Sequence, residues 1–173
     1  MTIHDTHPFT DPDPDPVRRF RGRLGGAVSL VTTGSATDRA GLTVSSLMVA
    51  NGSPARVLLL VDPDSDLADA VDASEVAVVQ LLSWADRDLA EAFAGTAPAP
   101  GGPFRMASFV DTPWGPRLED ASTWAGLSLA SATDVGWSSL LTCVVQELAV
   151  GEDDEQLVHR RGRYVRPPQG LTQ

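Results

Sequence analysis

The sequence contains no lysine: all 13 of its basic residues are arginine. That excludes a Schiff-base lysine and a P-loop lysine. It has one cysteine, Cys143, which excludes an internal disulfide, a CxxC redox pair and a cysteine-rich zinc site. A reducing, cytoplasmic setting is the matching expectation. Histidine is scarce as well. His4 and His7 fall in the N-terminal segment, and His159 stands beside two arginines. No HxH or HExxH spacing occurs, so no protein metal site is expected. No GxSxG elbow occurs either, and His159 is the sole candidate base for a triad. No run of about 18 apolar residues is present, so no transmembrane helix is expected. The polar, acidic N-terminus does not read as a signal peptide.

What is present fits one domain. The 173 residues are 42% apolar and 21% charged, enough to bury a core without staples. The formal net charge of -10 argues against nucleic acid or an anionic membrane as the main partner. Residues 1–16 read as a disordered acidic tail, because "DPDPDP" can form no helix and bury nothing. The domain runs over 17–166, and 167–173 form a second disordered tail. In "RRFRGR" the expectation is an amphipathic start to the domain, with Phe20 tucked in and the arginines solvated, or an anion-facing patch.

The pattern predicts about seven strands and two or three short helices. Strands are expected at Ala27–Thr33, Leu42–Val49, Arg56–Val61, Val76–Ser83, Trp124–Ala130, Leu140–Val150 and Leu157–Tyr164. The first two form a hairpin, and the third reads as buried on both faces. Helices are expected after "DPDSD", capped by Ser65 or Asp66 with Leu67, Ala70 and Val71 inward, and over Trp84–Ala94, with Ala85, Leu89 and Phe93 inward. Phe104–Gly115 reads as irregular, and "GEDDEQ" as a hairpin turn. No βαβ rhythm exists. Short turn-linked strands favour an antiparallel Greek-key barrel or sandwich.

Two apparent motifs fail. The glycines of "GRLGGA" precede a strand, whereas a dinucleotide fingerprint needs them after one. Asp62, Asp64 and Asp66 resemble the start of a calcium loop, but its glycine and its twelfth-position glutamate are missing.

The informative segment is "GLTVSSLMVANGSPARVLLLV". It resembles the flavin reductase-like family of FMN-binding split barrels, through Gly41, Thr43, Ser45, Ser46 and Pro54. Asn51 aligns with that family's serine before the turn. Ser65, "SEVAVVQLLSWADRDLAEAFAG" and "EQLVHRRGRYVRP" keep the same register, so the resemblance spans about Phe20 to Arg166. Departures occur at Leu67, at Gln80 and at Trp137-Ser138, where many members carry an Asp-His pair.

The resemblance implies a mainly β, antiparallel Greek-key split β-barrel. It implies a flavin lying against the second strand, held by Thr43, Val44, Ser45, Ser46, Asn51 and Ser65. The cofactor is FMN, with FAD or a deazaflavin as alternatives. NAD(P)H is the electron donor, and hydride passes to flavin N5. Ser46 and Ser65 are expected at the phosphate, with charge from Arg18, Arg19, Arg21 or Arg23, or from Arg160, Arg161 or Arg163. No catalytic side chain is assigned. A homodimer and a flavin-dependent monooxygenase partner are also implied. Three functions fit these residues: a flavin reductase, a module binding FMN, a deazaflavin or haem without turnover, and a cofactor-free interaction protein.

Overall fold

The computed structural model describes residues 15–152 and 155–166. The expectations of disorder at residues 1–14 and 167–173 lie outside the described residues. Asp15 and Pro16, read with the tail, instead begin a helix. The Asp15 carboxylate accepts a hydrogen bond from the Val17 amide, and Pro16 occupies the first turn of α1 (Pro16–Leu24).

The strands are β1 (Gly26–Ala27), β2 (Ser29–Thr33), β3 (Ala40–Val44), β4 (Leu47–Ala50), β5 (Arg56–Val61) and β6 (Val76–Leu81). They continue with β7 (Phe109–Thr112), β8 (Gly115–Leu118), β9 (Trp124–Val135), β10 (Ser138–Ala149), β11 (Val158–Arg160) and β12 (Arg163–Val165). Two further helices are α2 (Asp66–Ser74) and α3 (Arg87–Phe93). Seven strands form one antiparallel sheet in the order β3-β2-β6-β9-β10-β5-β4. β7 pairs with β8, and β1 with β11 and β12 makes a small third sheet.

The large sheet is a curled, open half-barrel, not a closed barrel. Its edges are β3 and β4, and no ladder joins them. Yet only Ser45 and Ser46 separate these edges in sequence. Three residue steps reach at most about 10 Å, so the two edges curl toward each other across a seam. The strand expected over Leu42–Val49 is therefore broken. Its first half pairs with β2 and its second with β5. The apolar run Leu47–Ala50 hid this, because Met48 and Ala50 keep the alternation of Leu42 and Val44 while the inward side shifts to Leu47.

Other expectations are corrected in similar ways. β5 is buried on one face only, with Val57, Leu59 and Val61 inward and Leu60 exposed. Phe104–Gly115 is not irregular: it contains β7 and the turn into β8. "GEDDEQ" is no hairpin turn, since β10 and β11 lie in different sheets. The last strand is two, β11 and β12, because Arg161 and Gly162 turn at positive φ. Phe20 is not tucked in; it is 66% exposed. Ala85 sits exposed in a 3-10 turn ahead of α3.

The core has two parts. One is packed by Val31, Val57, Leu59, Val79, Leu127 and Leu141, covered by Leu67 and Val71 of α2. The other gathers Leu30, Leu82, Leu118 and Leu157 under Leu89, Ala90 and Phe93 of α3. The rings of Phe93, Phe104 and Phe109 meet edge to face. Gly41 admits them, for a Cβ there would lie 2.7 Å from the Phe93 ring. Gly41 thus serves packing.

Candidate functional site: the Ser45-Ser46 seam

β3 delivers Thr43 and Val44 to the seam, and β4 leaves it. Thr43 is half-buried, and its hydroxyl donates to the Ala90 carbonyl at 2.7 Å, tying β3 to α3. Val44 is buried, and its carbonyl accepts from the Ser29 hydroxyl at 2.8 Å. Ser45 and Ser46 belong to neither strand. The Ser46 carbonyl accepts from the Leu60 amide at 3.0 Å, which fixes the seam against β5. Among the described residues, the hydroxyls and amide N–H groups of Ser45 and Ser46 have no intramolecular partner. Both serines are half-buried. Half-buried donors that the fold leaves open, at a break in a sheet, suit a ligand rich in acceptors.

Ser65 lies on the same side as Ser46. β5 runs from its contact with Ser46 at Leu60 directly into the Asp62–Ser65 turn. Its hydroxyl is engaged, however. It donates to the Asp62 carbonyl at 2.6 Å and accepts from the Ala68 amide at 3.2 Å, capping α2. Ser65 rather than Asp66 is the cap, and Leu67 and Val71 face the core as expected. The exposed Asp64 and Asp66 flank it. Asn51 is exposed at the far end of β4, about 16 Å along the strand from Ser46. The structure therefore brings Thr43, Val44, Ser45, Ser46 and the Ser65 turn to one region, and Asn51 to another.

One neighbour of the seam was missed in the sequence. Gly26 of β1 packs on Ser45: a Cβ at Gly26 would lie 2.6 Å from the Ser45 carbonyl oxygen. The signal was the glycine pair in "GRLGGA", dismissed as a failed dinucleotide fingerprint. β1 in turn pairs with β11, Gly26 opposite His159. His159 packs edge-on against Tyr164, whose hydroxyl pKa is raised by burial and by the Glu91 carboxylate. Cys143 is buried, and burial pushes its thiol up to about 11, so it stays a protonated, inert core group. No cluster of metal-ligating side chains occurs among the described residues, and no helix there is long and apolar enough to cross a membrane.

An open antiparallel half-barrel with a serine seam between its edges defines a class. The chain belongs to the flavin reductase-like family: the family's domain model, "Flavin reductase like domain", matches residues 21–167. Among individual relatives, it is 32% identical over 148 residues to the FMN reductase (NADH) RutF of Ancylobacter novellus, covering 85% of this chain and 81% of that one. It is 28% identical over 153 residues to the FMN reductase (NADH) RutF of Agrobacterium fabrum, with 85% and 84% covered. In fold it resembles the Streptomyces globisporus NADH:FAD oxidoreductase SgcE6, with a TM-score of 0.81, 21% identity, and 93% and 99% covered.

Proposed function

We propose that this protein is an NAD(P)H-dependent flavin reductase that takes FMN at the Ser45-Ser46 seam. The observation that carries the reading is the set of open donors there, in a chain whose relatives include proteins named as NADH-dependent FMN reductases. The residues fit the group. Small hydroxyl side chains and open amides admit a flat ring system and donate to its carbonyl and nitrogen acceptors. A flavin held by the Ser45 and Ser46 donors would supply the redox chemistry, with a reduced nicotinamide as the source of electrons. The protein's task is then to bind, align and exclude water, which needs no acid, nucleophile or metal from the chain.

The Val44 side chain packs in the core beside the seam and is closed to the ligand. Thr43 ties β3 to α3 through the Ala90 carbonyl. Ser65 keeps the adjoining turn in place as the α2 cap, so of the two hydroxyls expected at the flavin phosphate only that of Ser46 is open. The donor assigned is NADH or NADPH. FAD or a deazaflavin is a competitor for the same seam.

We also propose a homodimer. Met48, Val49 and Leu60 beside the seam are exposed, and an apolar patch next to a binding site suits a subunit contact. A flavin-dependent monooxygenase is the proposed consumer of the reduced flavin. The single cysteine favours a cytoplasmic location.

The test is direct. Purified protein with NADH and FMN should consume NADH, followed by its absorbance, and omission of FMN should stop it. Flavin binding without NADH or NADPH oxidation would reduce the protein to a flavin-binding module. No binding at all would leave an interaction protein.

A further inference from the structure

Seven of the 13 arginines come from the two ends of the described chain and lie on two elements that pack together. Four lie on α1: Arg18, Arg19, Arg21 and Arg23. Arg160, Arg161 and Arg163 lie on the β11–β12 hairpin. The two elements are stitched together by the Arg161 amide, which donates to the Gly22 carbonyl at 2.7 Å. The stem of Arg160 packs over Gly25, 3.5 Å from where a Cβ would sit. Arg19, Arg21, Arg23, Arg160 and Arg163 are exposed, and no ion pair among the described residues neutralises them. Such a concentration of positive charge is unusual in a chain of net charge -10. The exposed arginines on these packed elements repel one another, and a bound anion would relieve that repulsion.

The patch adjoins the seam. Gly25 follows α1 and lies under Arg160; the next residue, Gly26, packs on Ser45. Gly25 and Gly26 thus link the arginines to the Ser45 end of the seam, and the Asp62–Ser65 turn follows the strand that contacts Ser46. The patch is also wider than one phosphate needs, since the nine residues of α1 alone extend about 13 Å.

We propose that the α1/β11–β12 arginine face binds the adenosine diphosphate half of a dinucleotide whose redox-active half reaches the seam. This rests on the flavin reductase reading. The chemistry is that of two linked phosphates, which guanidinium groups bind through paired charge-assisted hydrogen bonds. A nicotinamide dinucleotide and FAD share that half. On an otherwise acidic protein, the patch also steers an anionic ligand toward the seam.

The first readout needs no turnover: calorimetric titration of the full chain with ADP. Wild-type protein should bind ADP, more weakly as salt rises. Changing Arg21, Arg23, Arg160 and Arg163 together to Gln should weaken binding about 30-fold, and changing the same four to Lys should restore part of it. Arg160 also packs on Gly25 and donates to the Arg23 carbonyl, so if the melting temperature falls, single Arg→Gln variants at Arg21, Arg23 and Arg163 replace the fourfold one. No ADP binding by the wild type, or equal binding by wild type and variant, overturns the proposal.

Substrate arms then separate the sources. If the ligand is NADH or NADPH, the fourfold Gln variant should raise its KM and leave that of a phosphate-free N-benzyl dihydronicotinamide unchanged. If it is FAD, affinity for FAD should fall while that for riboflavin holds. A variant that weakens FMN but not ADP would place the flavin phosphate on the patch and overturn the dinucleotide assignment. If the flavin reductase reading itself fails, flavin binding and turnover are absent in the wild type, yet the ADP titration still reports on the patch.

Discussion

Two polar regions of this protein look alike in sequence and differ in kind. Around β6, Gln80 is fully buried: its amide nitrogen donates to the Thr32 hydroxyl at 3.3 Å and its carbonyl oxygen accepts from the Leu118 amide at 2.7 Å. Thr32 in turn donates to the Pro116 carbonyl. This network is closed, and it fastens the β7–β8 ribbon to the main sheet. At the seam, Ser45 and Ser46 are half-buried and open. The comparison separates polar groups that hold the fold from polar groups that await a ligand. Residue type does not distinguish them; the state of each hydrogen-bonding atom does.

The comparison breaks first, and most visibly, at Gln80. Gln80→Leu leaves the Leu118 amide buried without a partner and should cost about 3 kcal/mol in chemical denaturation. Flavin affinity should stay within about twofold at the temperatures where the variant is folded. A large loss of flavin affinity in folded protein would mean that the ribbon, and not only the seam, shapes the site.

Cys143 adds a polar group that is sealed in the core. In the unfolded chain its thiol ionises near 9.0, and in the folded protein near about 11. The folded state therefore keeps the proton that the unfolded state loses. The stability this contributes is fully present below pH 9 and is lost as pH rises toward 11, by about 2 kcal/mol. Comparing urea melts of wild type and Cys143→Ala across that range isolates the effect, because the cavity cost of the alanine is the same at every pH. Equal slopes for the two would show that the thiol is not sealed.

A smaller effect is expected at Thr43, which lies on the strand that leads into the seam but has its hydroxyl engaged. Thr43→Val should lower stability by about 1 kcal/mol and leave flavin affinity unchanged. A drop in affinity without a drop in stability would move Thr43 to the ligand side of the comparison.

Much of this division was legible only in part. The β2–β3 hairpin, the α2 cap at Ser65 and the inward Leu67 and Val71 follow from local pattern: turn residues between apolar strands, and a serine ahead of an apolar stripe. The family was legible because its motif residues run collinear through the chain. The seam itself was not, since "GLTVSSLMVA" reads as one strand whichever sheet edge each half joins. In "LVHRRGRY" the local signal was Gly162, which turns the chain back at positive φ. The outward Phe20 was misread because an apolar stripe was taken to face the core, whereas α1 turns its Gly22 side to β11. The seam miss concerns pairing across long sequence distances, for β3 joins β2 and β4 joins β5. Above all, whether a serine hydroxyl is engaged depends on neighbours the sequence does not specify: Ser46 and Ser65 are equally good motif matches with opposite states.

That pair supplies the decisive measurement: flavin titration and thermal melting of Ser46→Ala and Ser65→Ala side by side. The seam account predicts that Ser46→Ala weakens FMN binding about fivefold, worth about 1 kcal/mol, with an unchanged melting temperature. It predicts that Ser65→Ala removes a helix cap, costing about 1 kcal/mol of stability, and leaves FMN affinity where it was. If Ser65→Ala loses FMN affinity while Ser46→Ala keeps it, the ligand lies at the acidic turn, and the seam is not the flavin site.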